Sequence, residues 1–316
     1  MCALAIKSKL KIETVKIGAM SDEGGTRSHN VKVGGQSAMP FLFKDGVIPN
    51  SPVIAYEFQD VAPVDWPTSL GEAMGEVWSD PVKWAEYICS IGFPENTQIK
   101  NNSLLFLRLM GAHPDRGGKE IDKVVSEFRR ILDNIKTPLI VIGCGVNEID
   151  RKLMPKIARE ASGEKLLIGN AVAENYKELT DCCIKYGHSI ITESPIDINI
   201  AKQANILVQD AGLPGDRIVM YATTGALGYG MEYAYSIMER TRLAGLQGDR
   251  YMNKPQIAFV GQESWRVKEA NKSKTAGVMW EYVTSLAYLH AGADIVVLRH
   301  PESGRKVAQY LNSISK

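Results

Sequence analysis

The residues best suited to chemistry in this 316-residue chain lie at the ends of short apolar runs, and most are amides, hydroxyls and glycines. The clearest group is Thr223, Thr224, Gly225, Gly228, Tyr229 and Gly230, in a loop that feeds the helical stretch GMEYAYSIMERTRLAGL. A glycine-rich loop opening a helix offers backbone N–H groups and the positive end of the helix dipole, which suits a phosphate, carboxylate or amide oxygen. No Lys-Ser/Thr follows, so it is not a P-loop, and it lacks the spacing and early position of a dinucleotide fingerprint. A tight turn that needs positive φ is the other reading of the same glycines. Asp60, Asn170, Asp197, Asn199, Gln262, Glu263, Arg299 and His300 end other runs. His300 could act as a general base or cap the loop before Pro301. His188 precedes a run and is expected to be structural.

No lysine stands isolated at a run end for a Schiff base, no His/Asp cluster has metal-ligand spacing, and there is no nucleophile elbow. The set suits a large polar-edged ligand held by amide-type contacts better than bond breaking by its own side chains. The five cysteines are odd in number and show no CxxC spacing, which offers neither a disulfide framework nor cluster ligands. They are expected to be packed thiols, with Cys144 in IGCG alone at a run end. A net charge of +1 gives no bulk case for binding nucleic acid or an anionic membrane. No apolar run approaches the ~20 residues that span a bilayer. The stretch MCALAIKSKLKIE lacks the core of a signal peptide, so a cytoplasmic protein is expected.

These groups are positioned by a recurring unit, an apolar β-type run followed by an amphipathic helical stretch. The runs are Val53–Asp60, Leu104–Ala112, Leu139–Gly145, Leu166–Asn170, Ser189–Pro195, Ile218–Gly225, Ile257–Glu263 and Ile295–His300. Eight such runs predict an α/β protein of the TIM type, a closed (β/α)8 barrel, over residues 51–316, with ligands at the carboxyl ends of the strands. Helices are predicted at Pro81–Gly92, Lys119–Ile135, Glu148–Ser162, Glu174–Tyr186, Asp197–Ala211, Gly230–Leu246, Gly277–Ala291 and Glu302–Ile314. Residues 1–50 differ. Lys11–Ala19 and Asn30–Gly34 alternate apolar and polar residues around a turn-rich stretch, predicting an N-terminal β-hairpin extension that plugs the barrel's amino end or extends an edge. Its GGTRSH tip is expected to be exposed and a weak functional signal. The loop Asp60–Ser79 carries Trp66 and Trp78 and is either a lid or docking surface or a segment anchored on the first helix.

Several blocks resemble the small subunit of the corrinoid/iron–sulfur protein of the reductive acetyl-CoA pathway: DEGGTRSHNVKVGG, PVIAYEFQDVAP, LLIGNAVAENYKELT, SPIDINIAKQ, GALGYGMEYAYSIMERTRLAGLQGD and LRHPE. The resemblance runs from about Ile17 to the C-terminus. It implies a barrel that pairs with a larger subunit carrying an iron–sulfur cluster and a corrinoid (cobalamin) domain, with the corrinoid between that domain and the barrel top and no iron–sulfur cluster on this chain. The implied partners are that large subunit, a methyltetrahydrofolate methyltransferase and acetyl-CoA synthase/CO dehydrogenase. Position at the barrel mouth then makes Thr223, Thr224, Gly225, Gly228, Tyr229 and Gly230 corrinoid-side contacts, with Asn170, Asn199 and Arg299 beside them. Glu269–Ala276 is short and polar where the family is expected to carry a longer loop. Two alternatives remain open. One is a methyltetrahydrofolate:corrinoid methyltransferase, with Asn170 and Asn199 on a pterin ring. The other is a lyase or aldolase barrel, which would need a metal site or a Schiff-base lysine.

Overall fold

The computed structural model describes residues 8–40, 42, 45–92 and 103–314. Strands β1 (Thr14–Ile17) and β2 (Val31–Gly34) pair antiparallel as the expected hairpin. The barrel strands are β3 (Val53–Gln59), β4 (Leu104–Arg108), β5 (Leu139–Ile142), β6 (Leu167–Ala171), β7 (Ser189–Glu193), β8 (Ile218–Tyr221), β9 (Ile257–Ala258) and β10 (Ile295–Leu298). They form one parallel sheet in the order β8-β7-β6-β5-β4-β3-β10-β9, and a parallel bridge between Met220 and Gln256 closes it. Helices surround the sheet: α1 (Thr68–Met74), α2 (Pro81–Gly92), α3 (Ile121–Asn134), α4 (Asn147–Glu160), α5 (Tyr176–Tyr186), α6 (Ile198–Asp210), α7 (Met231–Leu246), α8 (Val260–Ser264), α9 (Lys274–Ala291) and α10 (Pro301–Ile314). This is the predicted (β/α)8 barrel.

Successive strand side chains alternate between the interior and the helix layer, so both faces must be apolar. Val53 and Ala55, Leu104 and Phe106, Ile140 and Ile142, and Ile295 and Val297 share the interior cluster. Their neighbours Ile54 and Tyr56, Leu105 and Leu107, Leu139 and Val141, and Val296 and Leu298 pack outward against the helices. The hairpin completes the interior from below, since Val15, Ile17, Val31 and Val33 belong to the same inner cluster and are all buried.

Three expectations are corrected. The GGTRSH stretch is exposed at Gly24, Thr26 and Ser28 but is not a free tip, because Arg27 is buried and gives its Nε to Glu164 (2.7 Å), Nη1 to the Ile135 carbonyl (2.5 Å) and Nη2 to the Leu132 carbonyl (2.9 Å). His29 Nε2 lies 3.0 Å from the Ser103 carbonyl, so the stretch ties the hairpin to the barrel. The seventh run is not one long strand. It stops at Ala258, the Phe259 N–H goes to the Thr224 hydroxyl (2.9 Å), and Gln262 and Glu263 lie on the short helix α8. The third concerns α9, which starts at Lys274 rather than Gly277, because the Ser273 hydroxyl caps the Ala276 N–H at 3.1 Å. Within Asp60–Ser79, Trp66 and Trp78 pack edge-on to Trp84 of α2 with centroids 5.3 and 6.4 Å apart, which is the anchoring reading. The chain also forms α1 there.

Arg27 and Glu164 therefore hold the plug. Arg27→Ala leaves the buried Glu164 carboxylate with the Thr26 N–H and hydroxyl but no counter-charge, and takes a donor from two carbonyls; the expected loss is about 3–5 kcal/mol of unfolding free energy in a urea titration. A shift below about 1 kcal/mol would show that the apolar hairpin contacts suffice alone.

Candidate functional site at the barrel mouth

The loop after β8 is braced from within. Gly225 N–H donates to the Tyr288 hydroxyl (2.7 Å), Leu227 N–H to Thr284 (3.4 Å) and Tyr229 N–H to the Ala226 carbonyl (2.8 Å). Thr223, at φ 62°, donates its hydroxyl to the Ser194 carbonyl (2.9 Å), and Thr224 is buried. A Cβ on Gly225 would lie 2.7 Å from the Gly230 carbonyl carbon, so that glycine serves a close approach of backbone. Gly228 and Gly230 adopt φ of 79° and 84°, and Gly228 faces open space. Several N–H groups that the sequence offers to a ligand are thus spent inside the loop. Tyr229 is 53% exposed and donates to Glu269 (2.6 Å), which ties this loop to the segment before α9.

The floor of the mouth is an ion cluster that sequence reasoning missed apart from Arg299. Glu57 of β3 is fully buried. It accepts from Arg299 through Nε (2.8 Å) and Nη2 (3.1 Å), and from Arg108 Nε (2.9 Å). Burial alone would raise its pKa, but the two guanidinium groups outweigh that and hold it at about 2. Arg108 Nη2 also donates to Gln262 (2.6 Å), and the Arg299 guanidinium stacks 4.4 Å from the Trp66 ring centroid. Above them opens a hollow of about 910 Å³ with its solvent-open entrance included, lined also by Gln59, His113, Cys144 and Arg116.

A second hollow, of about 560 Å³ with its solvent-open entrance included, adjoins it across Arg108. Here Asn170 donates Nδ2 to Glu193 (2.9 Å), while its Oδ1 is buried without a hydrogen-bond partner. Asp150 accepts the Cys144 and Gly145 N–H groups, both at 2.9 Å. Burial raises the pKa of both Glu193 and Asp150. Burial, reinforced by Asp150, pushes the Cys144 thiol up to about 12, which leaves it protonated and unreactive.

Other candidates lie elsewhere. Asn199 is exposed on the first turn of α6, where its N–H meets Asp197 (2.7 Å), and it lines neither hollow. His300 caps α10, its Nδ1 accepting the Glu302 N–H at 3.1 Å, and it stacks on Trp265. Burial lowers its pKa to about 4. His188 bridges Leu166 N–H and the Ala158 carbonyl and is structural. Asp60 accepts the Gly111 N–H (2.8 Å), and burial pushes its pKa to about 6. Among the described residues no group of three or more His, Cys, Asp or Glu could hold a metal ion, and no helix is long and apolar enough to cross a membrane. Cys2 lies outside the described residues.

Large apolar side chains are exposed at parts of this mouth. Of the ten exposed ones among the described residues, Val64, Ile196, Ile200, Tyr229 and Tyr233 sit on loops or first helical turns at the carboxyl ends of the strands.

Glu57 gives the cluster a pH signature. Its folded pKa of about 2 lies below the unfolded value of about 4.3. Its contribution is therefore complete above about pH 4.3 and fades as the pH falls through 2. Glu57→Gln should lower stability at pH 7 by about 3–5 kcal/mol, because two guanidinium groups then face each other without their carboxylate. It should also flatten the dependence of stability on pH in this acid range. Equal urea midpoints for both proteins at pH 7 would remove Glu57 from that role.

Comparison with known proteins agrees with this architecture. Residues 14–308 match the family model described as CO dehydrogenase/acetyl-CoA synthase delta subunit. The chain is 32% identical over 310 residues to the acetyl-CoA decarbonylase/synthase complex subunit delta 1 of Methanosarcina thermophila, covering 93% of this chain and 68% of that protein. Against the delta subunit of Methanopyrus kandleri it is 31% identical over 300 residues, covering 92% of this chain and 72% of that protein. Among solved structures it is similar in fold to dihydropteroate synthases. The Stenotrophomonas maltophilia enzyme has TM-score 0.57 at 10% identity, over 85% of this chain and 95% of that one. The Vibrio fischeri enzyme has 0.58 at 12%, over 87% and 97%. The match over nearly the whole barrel and hairpin places the chain in the CO dehydrogenase/acetyl-CoA synthase delta subunit family.

Proposed function

We propose that this chain is the barrel subunit of a corrinoid methyl carrier, covering a corrinoid held by a larger iron–sulfur subunit within an acetyl-CoA decarbonylase/synthase complex. The observation that carries this reading is the mouth itself, an open polar hollow with Val64, Ile196, Tyr229 and Tyr233 exposed on loops or first helical turns at the same end of the barrel. A polar-edged macrocycle needs donors and acceptors for its amide side chains, and the domain that brings it needs an apolar rim to dock on. The donor set fits such a group. Asn170 Oδ1 is an unpartnered acceptor, Gln59 and Arg299 line the hollow, and Gly228 leaves open space at the rim.

When bound, the corrinoid supplies a cobalt that takes up and gives up a methyl group. The chain's own residues bind and exclude water. Arg299 and Arg108, fixed by Glu57, present a rigid polar floor, and the braced β8 loop forms a wall that does not have to reorganise. The proposed partners are the larger subunit, a methyltetrahydrofolate methyltransferase and the acetyl-CoA synthase component. Thr223, Thr224, Gly225, Gly228, Tyr229, Gly230, Asn170 and Arg299 remain the proposed corrinoid-side contacts, with Asn199 an outer one.

A second reading is a methyltransferase whose pterin donor sits in this barrel, and the orphaned Asn170 Oδ1 beside Glu193 favours it, since a lactam N–H or ring amine would complete both. Coexpression with the larger subunit separates the two. A one-to-one complex that holds corrinoid only when both chains are present is the expected result. Tyr233→Glu should weaken that association at least tenfold while leaving the barrel's melting temperature unchanged. A colourless, solitary barrel that binds methyltetrahydrofolate would replace the first reading with the second.

A further inference from the structure

We propose that the Arg108–Arg299 pair is a binding site for one oxyanion, a carboxylate or phosphate group that enters the hollow at the barrel mouth. Two guanidinium groups share one carboxylate here, with side chains only 15% and 8% exposed around a Glu57 that is fully buried. Arg299 spends Nε and Nη2 on Glu57, while Arg108 spends Nε on Glu57 and Nη2 on Gln262. Neither Nη1 group makes a hydrogen bond within the described residues, and both arginines line the open hollow.

The donors are also immobilised. Trp66 stacks on Arg299, Gln262 orients Arg108, and Glu57 cannot leave the interior. Fixed guanidinium N–H groups match the paired oxygens of a carboxylate or phosphate and lose little freedom on binding. The other acids nearby are engaged. Asp65 pairs with Arg116 (3.0 Å), Glu263 with Arg266 (2.9 Å), Asp150 holds the Cys144 and Gly145 amides, and Glu193 accepts from Asn170. Asp115 lines the rim of the hollow and weakens the attraction there, so the site acts through its deep donors more than through net charge. This inference does not rest on the corrinoid reading, because an oxyanion can be titrated into the chain without cofactor or partner.

The test is a titration of the full chain with inorganic phosphate and, separately, glutarate at low ionic strength. It is followed by calorimetry and by the arginine Nε–H NMR signals. Saturable one-to-one binding of either ion that moves the Arg108 and Arg299 signals, but not that of buried Arg27, is expected. Arg299→Lys should weaken it at least tenfold, since a lysine keeps the charge but cannot hold Glu57 through two N–H groups while presenting a fixed third nitrogen to the hollow. Should that variant fail to fold, Arg108→Lys carries the same expectation. Arg129→Gln, on exposed α3, should leave binding unchanged. Tighter phosphate binding assigns the site to a phosphate-bearing ligand, and tighter glutarate binding to a carboxylate-bearing one. Absence of saturable binding, or equal affinity in wild type and the folded lysine variants, overturns the proposal.

Discussion

Alternate residues of every barrel strand point into a space closed on all sides, and the contents of that space differ from bottom to top. At the bottom it is filled by Val15, Ile17, Val31 and Val33 of the hairpin, and in the middle by strand residues such as Ala55, Phe106 and Val297. At the top the same inward register delivers Glu57, Arg108 and Glu193, with Arg299 just past the end of β10. Glu57 is costly to bury as an anion, and its two arginine partners turn that cost into a rigid cluster. The mouth can therefore be polar while its floor stays fixed. The aromatic layer just below, with Phe259 stacked on Tyr221 at 3.9 Å and edge-on to Phe106 at 5.0 Å, separates that floor from the dry core.

This layering explains how much of the molecule can be read from its residues alone. All eight strands begin within one residue of the predicted runs because each run is buried on both faces, which concentrates Val, Ile and Leu there. The run from Ile257 misleads because its apolar character continues through Phe259 and Val260 after a side-chain bond from Thr224 has replaced the sheet ladder. No periodicity can show that substitution, which joins residues 35 positions apart. The arginine–glutamate floor was legible in principle. YEFQ, LLFLR and IITE each place a charged residue at an inward position of an otherwise apolar strand. Attention to run ends alone finds Arg299 and passes over Glu57.

The β8 loop shows the opposite error. Glycines before a helix offer free N–H groups in a sequence, yet here Tyr288, Thr284 and the Ala226 carbonyl take up those of Gly225, Leu227 and Tyr229. Their partners come from α9 and from within the loop, so only tertiary packing decides which glycines serve the turn. Gly228, at positive φ and facing open space, is the position where backbone still reaches outward.

Arg108 belongs to both hollows, and that gives the mouth a polarity. On one side it stands with Arg299, and the unspent groups are N–H donors suited to oxygen acceptors. On the other it faces Asp150, Glu193 and the orphaned Asn170 Oδ1, a set richer in acceptors and suited to N–H donors. A ligand in either hollow meets the same guanidinium, which Glu57 and Gln262 hold in place. The barrel's rigidity and the polarity of its opening thus have one source, the inward register of eight closed strands.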